Sequence, residues 1–80
     1  MIRIGIVDDH AIVRSGLRNF FADHVDLRVV GEAANGREAI DLVRTTEMDV
    51  LLMDLAMPGQ SGLDALAMIR AKAPDVGILI

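Results

Sequence analysis

Four short apolar runs recur along the chain: IRIGIV at 2–7, LRVVGEA at 27–33, VLLM at 50–53 and GILI at 77–80. The stretches between them change to a helical period. From Ala11 onward, Ile12, Val13, Leu17, Phe20 and Phe21 fall on one broad face, with Arg14, Arg18 and Asn19 elsewhere on the wheel. Ala39, Ile40 and Val43 give a second stretch an apolar side, and Leu63, Leu66, Ala67 and Ile69 a third. Asn35 followed by Glu38 reads as a helix start, and Ser61 with Asp64 has capping-box spacing. Asn35-Gly36 also suits a hairpin turn, but the helical period behind it favours a strand-to-helix junction. The order is therefore β-α-β-α-β-α-β. Strands alternating with helices of about ten to fourteen residues imply right-handed crossovers and a parallel sheet. Apolar runs without alternation fit strands covered on both faces. The whole chain, 1–80, reads as one unit.

Composition narrows the function classes. Eight basic residues against twelve acidic give a net charge of −4, which argues against a nucleic-acid grip by this segment. The absence of cysteine excludes disulfides, thiolate-bound zinc and a thiol nucleophile. No long apolar segment or basic leader is seen, so a cytoplasmic protein without membrane contact is expected. Met48, Met53, Met57 and Met68 read as packing residues rather than a recognition stripe.

The chemistry concentrates in three aspartates. Asp8 and Asp9 end the first strand, and Asp54 ends the third. In a parallel sheet these ends share one edge, where open α/β sheets bind ligands. Adjacent strands would bring the three carboxylates together, and such a set stays ionised with a cation among its members. Oxygen-only ligands favour Mg2+. A carboxylate held beside Mg2+ is a nucleophile toward phosphorus that yields an aspartyl phosphate. The structural alternatives are Asp9 as no more than the cap of the first helix, and Asp54 as a solvated strand end. His10 reads as an exposed helix-start residue more readily than as a ligand, and His24 suits the end of the first helix. A metal-dependent hydrolase is a further alternative, but only His10 is at hand as acid or base.

The strings IVDDH, EAANGREAIDLV and DVLLMDLAMPGQSGLDAL together resemble the receiver domain of two-component response regulators. VDDHAIVRSGL and GEAANGREA resemble the subgroup whose receiver precedes a LuxR-type (NarL-like) helix-turn-helix. The resemblance spans the chain and implies a flavodoxin-like (CheY-like) fold. It implies that Asp54 accepts a phosphoryl group from a sensor histidine kinase, as a phosphoacceptor rather than a turnover enzyme. It further implies that Asp9 holds Mg2+ directly, Asp8 holds it through water, and the Ala56 backbone carbonyl completes the protein ligands. Alanine at that last position leaves room for water beside the phosphoryl group. Met57, Pro58 and Gly59 match the rim loop, and Gly62 the start of the third helix.

The family's sheet has five strands in the order 2-1-3-4-5, so the resemblance implies a truncated receiver. The switch hydroxyl, the fourth and fifth helices, the fifth-strand lysine and the DNA-binding domain are expected to be missing. Lys72 is the sole lysine and falls on the third helix. Impaired phosphotransfer is then expected. The alternative role is an association module, a homo-oligomer formed through the fourth-strand edge and an uncovered first helix.

Overall fold

The computed structural model describes residues 1–54 and 62–80. Strands β1 (Ile2–Val7), β2 (Leu27–Ala33), β3 (Val50–Met53) and β4 (Gly77–Leu79) alternate with helices α1 (Ala11–Ala22), α2 (Gly36–Thr45) and α3 (Gly62–Lys72). The sheet is parallel, in the order β2-β1-β3-β4. It is the expected α/β arrangement, with β1 central and the chain order reversing between β1 and β3.

Side chains alternate across a strand, and here the alternation sorts two layers. Val7, Leu51 and Met53 join the core with Ala39 of α2 and Ala65 and Ile69 of α3. Ile6 and Leu52 face the other way, lining a groove with Leu17 of α1. The expectation of strands covered on both faces holds only for the last four residues of β1, buried from Ile4 to Val7. β3 alternates between half-buried and buried residues, and β4 is largely exposed. Among the described residues β4 pairs on one side only, and it is the least enclosed strand.

One helix reading changes, that of α3, and the expected bareness of α1 holds. The inward residues of α3 include Ala65 and Ile69, four apart and so on one face, whereas Ala67 is exposed. Helix α1 carries an apolar face but buries no residue: Ile12 is 87% exposed and Phe20 is also exposed. Met48 and Met53 are buried as packing residues, while Met68 is exposed. Helix α2 starts as the sequence implies. Asn35 Oδ1 accepts from the Glu38 N–H at 2.8 Å, and Glu38 Oε1 reaches back to the Ala34 N–H at 2.9 Å. Gly31 lets α2 approach β2 closely, because a Cβ there would run into the Leu42 side chain.

Candidate functional site

The carboxyl ends of β1 and β3 carry the acidic residues because the ladder runs one rung past each strand. The Asp8 N–H donates to the Ala33 carbonyl and the Asp54 N–H to the Val7 carbonyl, both at 3.0 Å. Those rungs set Asp8 and Asp54 side by side, on residues whose positions β1 and β3 already determine. Ligand atoms of Asp8, Asp9, His10 and Asp54 all lie within 4.8 Å of one another. The three aspartates that the sequence nominates are thus brought together. Ala56, Met57, Pro58, Gly59 and Ser61 lie outside the described residues; Gly62 is the first residue of α3.

His10 joins the cluster, which sequence reasoning missed. It occupies the N-cap position of α1 in extended conformation and makes no side-chain cap bond, so the reading of Asp9 as that helix's cap is not realised. Instead Asp8 Oδ1 accepts from the His10 N–H at 2.8 Å, and His10 Nδ1 lies 2.8 Å from the same oxygen. A ring nitrogen facing carboxylate oxygens has to carry the hydrogen, since carboxylates only accept. Nδ1 is also 3.0 Å from Asp9 Oδ1. That second contact is an ion pair without hydrogen-bond alignment, and Asp9 Oδ1 is a buried oxygen with no hydrogen-bond partner among the described residues. The hydrogen bond to Asp8, then the charges of Asp9 and Asp8, hold the His10 imidazolium above its ordinary pKa. The available signal was the DDH adjacency itself, since a turn lets residue 10 fold back onto residue 8.

Basic residues brace the edge from α1. Arg14 donates to the Asp8 carbonyl at 2.6 Å, and Arg14 and Arg18 both pair with Glu32 on β2. Lys72 lines a separate cleft with Arg3, Glu47 and Pro74, at the edge where β1 and β3 begin. No described helix is long and apolar enough to cross a membrane.

The residues present fit a divalent cation. Asp9 Oδ1 is an anionic oxygen buried without a hydrogen-bond donor, and two more carboxylates stand within reach of the same point. Hard oxygen donors of this kind suit Mg2+.

A parallel β2-β1-β3-β4 sheet with an acidic crevice between β1 and β3 defines a receiver fold, and the chain belongs to the response regulator receiver domain family, whose model matches residues 4–80. It is the receiver part of a two-component response regulator. Over 79 residues it is 46% identical to the uncharacterized transcriptional regulatory protein YhcZ of Bacillus subtilis (strain 168), a match covering 99% of this chain and 37% of that protein. It is 44% identical over 80 residues to the response regulator UvrY of Escherichia coli (strain K12), covering 100% and 37%. The chain thus spans well under half the length of these relatives. Among solved structures, the response regulator domain of Thermotoga maritima CheB superposes with a TM-score of 0.91 at 37% identity, covering 98% of this chain and 57% of that one. A LuxR-family two-component response regulator from Aurantimonas superposes with the same TM-score at 42% identity, covering 100% and 57%. RcsB from Salmonella enterica serovar Typhimurium, solved bound to a promoter in the presence of the phosphomimetic BeF3-, gives 0.88 at 30% identity, covering 98% and 66%.

Proposed function

We propose that Asp54 is the phosphoacceptor of this receiver, acting in the cytoplasm on the phosphohistidine of a sensor kinase. The observation that carries this reading is the convergence of Asp8, Asp9 and Asp54 within 4.8 Å at the ends of adjacent strands. Asp8, Asp9 and Asp54, with the Ala56 carbonyl, would hold Mg2+, which supplies positive charge against phosphoryl oxygens when bound. An Asp54 carboxylate oxygen attacks phosphorus, a P–O bond forms, the P–N bond of the donor breaks, and the imidazole leaves with its electron pair. Asp54 extends a paired strand, so its oxygen is held in place before the donor arrives. Lys72, the chain's one lysine, lies at the other edge of the sheet, so no lysine of these 80 residues neutralises the phosphoryl group. Labelling of this chain should accordingly be slower than labelling of a full-length relative. Nucleic acid is not a partner of this acidic segment.

The test is intact-mass analysis after acetyl phosphate treatment. One added phosphoryl group is expected with Mg2+, and none with chelator or in Asp54→Asn. A mass gain that survives Asp54→Asn overturns the assignment.

A second reading has its own observation. Ile12, Phe20, Leu79 and Ile80 are exposed, and an open groove of ≈ 330 Å3 runs between Leu17 and Leu79. A second copy of the chain covers such a surface symmetrically. Light scattering should then show dimers as concentration rises; a monomer throughout removes this reading.

A further inference from the structure

We infer that His10 is an internal competitor for the cation: its ring N–H takes the Asp8 oxygen and its ring nitrogen crowds the Asp9 oxygen that a divalent ion needs, so ion binding requires the ring to swing out. The inference rests on reading Asp8, Asp9 and Asp54 as a Mg2+ site. Nδ1 stands 2.8 Å from Asp8 Oδ1 and 3.0 Å from Asp9 Oδ1. Mg2+ bonds oxygen at about 2.1 Å and keeps its waters, so an ion on Asp9 with a water on Asp8 would overlap a ring nitrogen facing both oxygens. The ring is an occupant rather than a fixture. Its side chain is 63% exposed, against 14% for Asp8 and 24% for Asp9. Among the described residues the ring's polar contacts are those carboxylates, while the His10 backbone N–H separately anchors the turn on Asp8. The ring can therefore rotate into solvent without disturbing the start of α1.

A hard, octahedral ion recruits oxygens and water more readily than imidazole, so the ring is displaced rather than kept as a ligand. Affinity for Mg2+ is then lowered by whatever the ring contact contributes. For an exposed ion pair that is about a two- to fivefold effect. Cation affinity is in this way set partly by a residue that never touches the ion.

Calorimetric Mg2+ titration of the wild type and His10→Ala at one fixed pH tests this, together with NMR of the two histidine rings. His10→Ala should bind Mg2+ about two- to fivefold more tightly. In the wild type, saturating Mg2+ should move the His10 ring signals to those of a solvated imidazole. His24, at the far end of α1, should stay unchanged; the ring measurement needs no variant. Unchanged affinity in His10→Ala, or ring signals that do not move, overturns the competition while leaving the Mg2+ site intact. Weaker binding in His10→Ala makes the ring a ligand and overturns it too. Absence of Mg2+ binding in both proteins overturns the site itself, and this inference with it.

Discussion

Asp9→Asn should stabilise the protein in chelator and remove its response to Mg2+. The ligand oxygens of Asp8, Asp9 and Asp54 lie within 4.8 Å of one another. At that separation a pair of unit charges repels by roughly 1 kcal/mol in water and roughly 3.5 kcal/mol at the effective dielectric typical near a protein surface. Neutralising Asp9 relieves two such pairs. The lost contact with the exposed, solvent-screened His10 ring offsets only a small part of this. An asparagine also brings an N–H2 donor to neighbouring carboxylates. A net gain of at least about 1 kcal/mol follows, and for a domain of this size each kcal/mol raises Tm by about 4–8 °C. The wild type should instead gain about 2.7 kcal/mol from Mg2+ at a hundredfold excess over Kd. Melting curves by circular dichroism, with chelator and with Mg2+, read both effects. The ranking should narrow or reverse between the two conditions. A variant that is no more stable in chelator, or that gains from Mg2+ as the wild type does, refutes the reasoning.

Asn35→Ala should lower stability by about 1 kcal/mol in urea unfolding, through loss of the bond to the Glu38 N–H, and adding Glu38→Ala should cost less than additively. Ile69→Ala, at a fully buried position, should cost about 2–5 kcal/mol, whereas Ile12→Ala on the exposed side of α1 should change stability by less than about 0.5 kcal/mol. The hydrogen bond from Arg3 holds the Asp49 carboxyl below its ordinary pKa. Its contribution is present above the unfolded-state value and is lost as pH falls through the lower folded-state value. Asp49→Asn should therefore flatten the acid limb of a Tm-against-pH profile; an unchanged limb refutes the pairing.

What the residues disclose on their own depends on range. Asn35 and Glu38 are three apart, so their cap is local and reads directly. Asp8, Asp9 and Asp54 were legible because parallel strands share one edge, a consequence of topology rather than of side-chain detail. Arg3 with Asp49, and Arg18 with Glu32, escaped because nothing in local spacing links residues 46 or 14 positions apart. His10 escaped for another reason. Its role depends on the turn that folds it back onto Asp8, and helix-start propensities do not encode that turn. The bareness of α1 was expected, but the inward face of α3 was misjudged in part, since Ala67 is exposed. Periodicity tells which residues share a side, not how completely a neighbour covers them.

The Asp8 and Asp54 amides each bond to the carbonyl of an adjacent strand. The spacing of the acidic crevice is thus gauged by main-chain pitch, a dimension no side-chain substitution rescales. Variation at positions 8, 9, 10 and 54 can exchange charge, donor type and reactivity within a frame of constant width. Chemistry and geometry are in this way separately inherited: a change of residue retunes the tool, while only a change of sheet alters the jig that holds it.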